Sequence, residues 1–439
     1  MKQLRDSFDL PLTCMGGAVA LISLVGLSSP VQAKFEDSPK AVLDEAWQIV
    51  NRDYVDETFN QTDWQASRQR LLSRSYTSNQ QAYEALRQEL KQLNDPYTRF
   101  LDPEQYRALT SQTSGELSGV GVRLGIDAES KMLTVIEPVI GSPASVAGIE
   151  AGDRIVAIDG KSTRGMTVEQ ASKLIQGEVG APITLRIERN GQAAMNLSMK
   201  RARIELSNVN YGLRQEANAR IGYIRLTEFS NHAPEQVRNA MKELLKQNVE
   251  GFVLDLRGNP GGLLQASIEI SRLWLDSGFI VQTIDRVGES QEIKANQTAL
   301  TQLPLAVLVD GGSASSSEIL TGALRDNRRA VIVGSQTFGK ALVQSVNPLS
   351  DGSGLAVTIA HYYTPDGTDI SHLGITPDIE INLTEPQRRR LVSNQALIAT
   401  DSDPQYLQAV NALRAPIALN RRGAAQSSLQ VETGGTRSN

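Results

Sequence analysis

The stretch LPLAVLVDGGSASSSEILTGAL, residues 303–324, is an apolar β-type run that breaks at Asp310-Gly311-Gly312 and resumes with a helical pattern. Ser315 therefore falls on a strand-to-helix turn, beside the first free N–H groups of a helix. Twenty-five positions on, AVIVGSQTFGKALVQ (330–344) places Lys340 just after a second apolar strand, between Phe338-Gly339 and Ala341-Leu342. A lysine in apolar surroundings loses its proton more readily. The two segments together point to an α/β domain and to a serine hydrolase whose general base is a lysine.

The flanking sequence extends this pattern. Ile221–Leu226, 252–256, Leu305–Val309, 330–333 and 355–360 read as strands, with helices over 234–246, 263–275 and 316–325 between them. Continuous apolar strands alternating with amphipathic helices predict a sheet covered on both faces. Upstream, residues 113–202 alternate short β-type runs with turns such as Asp159-Gly160 and Asn190-Gly191, interrupted by one short helix, Val168–Ile175. Residues 34–112 are mostly helical: Leu43, Trp47, Val50 and Tyr54 form one apolar stripe, and Leu86, Leu90 and Leu93 another. These stripes predict core. The reading gives an α/β multidomain chain with units at 34–112, 113–202 and 203–395. A C-terminal region follows at 396–439, helical at first and, beyond about Pro416, an Arg-, Gly-, Ser- and Gln-rich disordered tail.

Composition limits the chemistry. The chain has 439 residues, is 40% apolar and 21% charged, and carries a formal charge of −5, without the basic bias of a nucleic-acid binder. Lys2 and Arg5 precede an apolar stretch from Cys14 to Leu27, and Val31-Gln32-Ala33 fits a signal-peptidase site. Residues 1–33 are thus expected to be a cleaved export signal, too short in its apolar part to span a bilayer. Cys14, the single cysteine, lies within it, so the mature chain has no disulfide, thiolate site or cysteine nucleophile. His232, His361 and His372 show no metal-binding spacing, and no metal or cofactor is expected.

A serine hydroxyl needs a base. For a lysine to serve, its pKa must fall from ~10.4 by about three pH units, roughly 4 kcal/mol of differential solvation, which burial supplies. Gln344, four residues after Lys340, can orient the amine without adding charge. Arg257-Gly258-Asn259-Pro260-Gly261-Gly262 lies at another strand-to-helix junction, where glycines let backbone N–H groups approach an oxyanion. Gly261 and Ser316 N–H are the candidate donors. Alone, each element has a bland reading: a tight turn, a solvated serine run, a solvated lysine. Ser313 competes with Ser315 on local grounds. Gly334–Lys340 also matches GxxxxGK, but Ala341 stands where a phosphate-binding loop needs Ser or Thr for Mg²⁺.

SGVGVRLG, GSPASVAGIEAGDRIVAIDG, GFVLDLRGNPGGLL, VLVDGGSASSSEILTGAL and GSQTFGKALVQ resemble, in that order, the carboxyl-terminal processing (tail-specific) proteases over roughly residues 40–385. The resemblance implies Ser315 as nucleophile, Lys340 as base, Gln344 as supporting residue and Gly261 as oxyanion donor. It identifies 113–202 as a PDZ domain inserted before a protease core of crotonase-like fold. Gly119-Val120-Gly121-Val122 would be the loop that holds a substrate's C-terminal carboxylate. Related enzymes commonly carry an arginine, thought to couple the PDZ domain to the active site, where this chain has Gln176. AWQIVNRDYVDETFNQTDW resembles the cyanobacterial and plastid branch. That implies protein substrates taken by their C-terminal tails, membrane proteins such as the D1 precursor of photosystem II among them, in a periplasm or thylakoid lumen. The competing function is a catalytically silent PDZ scaffold that binds protein C-termini.

Overall fold

The computed structural model describes residues 38–189, 192–217 and 219–434. The expected export signal at 1–33 and the turn at Asn190-Gly191 lie outside them.

A six-stranded sheet forms the centre, in the order Val209–Glu216, Ala219–Leu226, Gly251–Asp255, Leu305–Val309, Val331–Gly334, Ile379–Glu380. Its first pair is antiparallel and the later pairings are parallel. The period of two sorts the apolar side chains. Phe252, Leu254, Val307 and Val309 join a core with Met241 and Leu320 of the helices Ala233–Lys246 and Ser316–Asp326. Val253, Ala306 and Leu308 pack instead with Tyr406, Val410 and Leu413 of the helix Pro404–Gly434. Both faces are covered, which is why these strands read as unbroken apolar runs.

A second sheet is built around Gly354–Tyr363, which pairs antiparallel with Arg99–Leu101, Phe279–Asp285 and Leu342–Pro348. It holds a strand of the N-terminal region along one edge of Gly354–Tyr363 and the segment that follows Lys340 along the other. The helices Pro39–Asp53, Trp64–Ser73 and Asn79–Lys91 close over it, and the stripes of Leu43, Trp47, Val50, Tyr54, Leu86, Leu90 and Leu93 are buried. The helix Pro103–Ser114 then leads into a two-stranded ribbon, Glu116–Gly119 against Ala202–Glu205. This ribbon carries a separate sheet of Val122–Ile126, Leu133–Pro138, Arg154–Ile158, Pro182–Glu188 and Met195–Lys200, with its own core. Besides Val168–Ile175, that unit has a one-turn helix, Pro143–Val146. There Ser142 Oγ accepts from Ser145 N–H, a cap that the Ser-Pro sequence carries but periodicity does not reveal in so short an element.

Beyond Pro416 the structure differs from the disordered tail expected from composition: the helix continues to Gly434. Tertiary contacts account for its first turns past Pro416. Ile417 is buried against the central sheet, and Arg421 forms a two-pronged pair with Glu250 at 2.5 and 2.7 Å.

The same C-terminal segment grips the junction at Arg257. The buried guanidinium donates to Asp255 at 2.7 and 3.0 Å, to Asp403 at 2.8 and 2.9 Å and to Gln405 at 3.0 Å. Tyr223 Oη donates to Asp255 at 2.6 Å. Burial opposes ionisation of Asp255, but the Arg257 charge and these bonds outweigh it and hold the carboxyl below its usual range. Removing one partner from such a group leaves buried charge uncompensated. Asp403→Ala is therefore expected to lower unfolding stability by about 3 kcal/mol in urea titration; a loss within error of zero would mean that Asp255 alone holds Arg257.

Candidate active site

Ser315 is the N-cap of the helix Ser316–Asp326 and has φ 53° and ψ −112°. A β-carbon-bearing residue in that region is strained, and the strain persists only where neighbours enforce it. Gly261 is one of them. At φ +104° it lies so close that a Cβ there would be 3.0 Å from both Ser315 Cβ and Ser316 N. The glycine-rich junction and the serine turn are therefore packed face to face.

The serine run resolves by hydrogen bonding. Ser313 is fully buried; its Oγ donates to Leu256 O at 2.8 Å and accepts from Asp310 N–H at 3.0 Å. Ser316 Oγ donates to Gly262 O and Ser317 Oγ to Asn259 O, each at 2.9 Å. Ser315 Oγ donates no hydrogen bond among the described residues, the nearby Glu318 N–H goes to Ser315 O at 2.7 Å, and Ser315 lines a cavity of about 390 Å³ together with Lys340, Gln344, Gly261, Ser316 and Tyr97. Ser313, the local rival of Ser315, thus has its hydroxyl tied into the turn. None of the three histidines lines this cavity. Lys340 is followed by the strand Leu342–Pro348 rather than by the helix that a phosphate-binding loop requires.

Lys340 is half-buried. Burial pushes its pKa down, and the positive charge of Arg99 adds to the effect against the opposing pull of Asp95 and Glu318. Its Nζ stands 4.6 Å from the centroid of the Tyr97 ring, and among the described residues no hydrogen bond joins it to Ser315. Gln344 sits just past an irregularity in strand pairing between Val343 and Gln344, a device that re-aims a side chain. Its Nε2 is buried with no partner among the described residues.

The expected oxyanion donors differ in state. Ser316 N–H, at the start of its helix, has no partner among the described residues. Gly261 N–H is already taken, donating to Asn259 Oδ1 at 2.9 Å. The side chain of a neighbouring asparagine competes for it, which spacing and glycine content do not reveal.

Glu318 was not singled out in the sequence, yet it ties both segments together. Its buried carboxylate accepts from Ser315 N–H at 2.8 Å, Lys340 N–H at 3.0 Å, Gly339 N–H at 2.7 Å and Thr337 Oγ1 at 2.6 Å. Tyr362 Oη adds a second link, donating to Lys340 O and lying 3.2 Å from Ser315 O. The signal was present: Ser315-x-x-Glu318 has the capping-box spacing, in which the third residue reaches back to the N-cap N–H.

Gly119, Val120, Gly121 and Val122 line a separate cavity of about 750 Å³ with Ile175 and Gln176. The Val120 side chain is in the core, so only its backbone can meet a ligand. Val120 and Gly121 N–H have no partner among the described residues, leaving two donors free for an anion. An intermediate cavity of about 790 Å³ shares Leu117, Ser118, Gln176 and Leu206 with this groove, and Gln112 and Glu228 with the cavity of Ser315. Among the described residues no group of three or more His, Cys, Asp or Glu could hold a metal ion.

A serine on a strand-to-helix turn lines one cavity, and an intermediate cavity shares lining residues both with it and with the groove beside Gly119–Val122. Residues 220–381 match peptidase family S41 and residues 134–189 match the PDZ domain. The chain is 44% identical to the carboxyl-terminal-processing protease of Picosynechococcus sp., over 90% of this chain and 94% of that protein. It is 40% identical to that of Synechocystis sp., over 96% and 97%. A solved structure of a photosystem II D1 C-terminal processing protease, 36% identical, superposes with a TM-score of 0.53 over 84% of this chain and 99% of that one. This chain belongs to the carboxyl-terminal-processing proteases of family S41, which are serine-type peptidases.

Glu318→Gln would replace an acceptor-only group by one whose amide opposes N–H donors. It is expected to cut kcat by about a hundredfold through displacement of the Ser315 and Lys340 backbones. Steady-state kinetics checks this, and unchanged kcat would show that the carboxylate does not position them.

Proposed function

We propose that the chain is an exported endopeptidase that cuts other proteins near their C-termini, with Ser315 as nucleophile and Lys340 as general base. One observation carries the assignment: Ser313, Ser316 and Ser317 donate their hydroxyls to backbone carbonyls whereas Ser315 donates to none among the described residues, and a desolvated lysine lines its cavity. Ser315 Oγ attacks the scissile carbonyl while its proton passes to Lys340 Nζ. Lys340 then returns that proton to the leaving amine as the C–N bond breaks, and water hydrolyses the acyl-enzyme. For this the lysine must leave the Tyr97 ring, a position that favours its charged form. Gln344, with a buried amide seeking a partner, orients the amine. Ser316 N–H and Gly261 N–H hold the oxyanion, the latter once Asn259 releases it.

The groove at Gly119–Val122 takes the substrate's C-terminal carboxylate, and the intermediate cavity leads the preceding residues to Ser315. Gln176 lines both spaces and stands where they communicate. Likeness to cyanobacterial and chloroplastic processing proteases supports action in a periplasm or thylakoid lumen, and one solved relative is a photosystem II D1 processing protease. The D1 precursor is accordingly the first substrate to try. Among the described residues no helix is long and apolar enough to cross a membrane.

Ser315→Ala is expected to lower cleavage of a protein with an apolar C-terminal tail by about 10⁴-fold or more, with tail affinity unchanged by calorimetry. Retained turnover would move the nucleophile elsewhere. Tail binding without turnover in the wild type would favour the silent scaffold.

A further inference from the structure

The cavity of Ser315 adjoins a space of about 690 Å³, bounded by the helices Asn79–Lys91 and Pro103–Ser114 and the strand Arg99–Leu101. Arg99, Leu109 and Gln112 line both. The floor of this second space is apolar, with Leu90, Phe100 and Leu109, and its rim is cationic, with Arg87, Lys91 and Arg99.

The charges are unequally satisfied. Arg87 pairs with Asp102 at 3.1 Å. The side chains of Lys91 and Arg99 form no ion pair or hydrogen bond among the described residues. The lining acid is Asp95, whose oxygens are occupied by Tyr97 N–H, Thr98 Oγ1 and Thr358 Oγ1 at 2.8, 2.6 and 2.7 Å. Two free cations over an apolar floor call for a ligand that brings a carboxylate among aliphatic groups.

The proposed direction of the substrate says which part this is, and the inference rests on that reading. A chain whose C-terminus sits at Gly119–Val122 approaches Ser315 past Gln112 and Glu228. Its residues on the amino-terminal side of the scissile bond need a second way out of the Ser315 cavity, and the space past Arg99 offers one, on the flank of the helix Pro103–Ser114 that carries Gln105 and Leu109, whereas Glu104, Arg107 and Ser111 line the entry. We propose that the cavity beside the strand Arg99–Leu101 is the subsite for this upstream segment, and that Lys91 and Arg99 select an acidic side chain in it. Both cations are exposed, so the selectivity is modest and weakens with salt.

The test uses the whole protein and model substrates with one fixed apolar C-terminal tail. Glu, Gln or Lys is placed in turn at each of the four positions upstream of the cut, and pairs compete in one reaction at low salt. The wild type is expected to prefer Glu over Gln by about fivefold in kcat/KM at one or two positions, with Lys poorest. Arg99→Gln and Lys91→Gln should each flatten the ratio, their double variant should abolish it, and Arg99→Lys should largely keep it. Because Arg99 also depresses the Lys340 pKa, Arg99→Gln slows every substrate, but a ratio between substrates cancels that effect. Equal rates for Glu and Gln in the wild type, or a preference that survives in the double variant, overturns the proposal while leaving C-terminal processing intact. A wild type that binds the tail but cuts none of the series overturns both.

Discussion

The site depends on one buried carboxylate. Glu318 is inaccessible to solvent, and an ion in such a place is tolerated only if its lone pairs are filled. Four donors fill them, from Ser315, Thr337, Gly339 and Lys340. Three belong to the loop that carries the lysine, and the fourth is the N–H of the strained serine. The cost of burying the charge is thereby converted into a constraint: neither loop can shift without leaving Glu318 underbonded. Tyr362 repeats the connection through the carbonyls of the same two residues.

Other features of the core serve this pairing. The parallel strands Gly251–Asp255 and Leu305–Val309 deliver two glycine-bearing turns side by side, and Gly261 is small enough to let them touch. The C-terminal helix covers the opposite face of the sheet and secures Arg257, at the root of one of those turns, through Asp403. The N-terminal region reaches the same place by a different route. Its strand Arg99–Leu101 joins Gly354–Tyr363, which sets Arg99 and Tyr97 around the lysine amine.

This explains what was legible in the sequence. Strand and helix periods, and the two strand-to-helix turns, are local patterns, so the α/β core and the positions of Ser315 and Lys340 could be read directly. The engagement of the Ser313 hydroxyl could not, because its acceptor is Leu256 O, 57 residues away. The engagement of Gly261 N–H by Asn259 depends on a side-chain rotamer. Arg99 and Tyr97 lie more than two hundred residues before Ser315 in the chain and arrive by long-range β-pairing. The helix past Pro416 depends on burial of Ile417 and a pair with Glu250, whereas composition alone suggested disorder.

The central claim is that a lysine, made less basic by burial and by Arg99, takes the proton of Ser315. The most direct measurement is the pH dependence of the single-turnover acylation rate on one fixed substrate, in the wild type and in Arg99→Gln. A base must be neutral to act, so the rate should rise with pH to a plateau, through one apparent pKa below the lysine's ordinary 10.5. Removing Arg99 takes away a charge that depresses that value, so the curve should move to higher pH while the plateau persists. A limb near 6.5, the ordinary histidine value, that vanishes when a histidine is replaced, or a curve that Arg99→Gln leaves in place, would contradict the account.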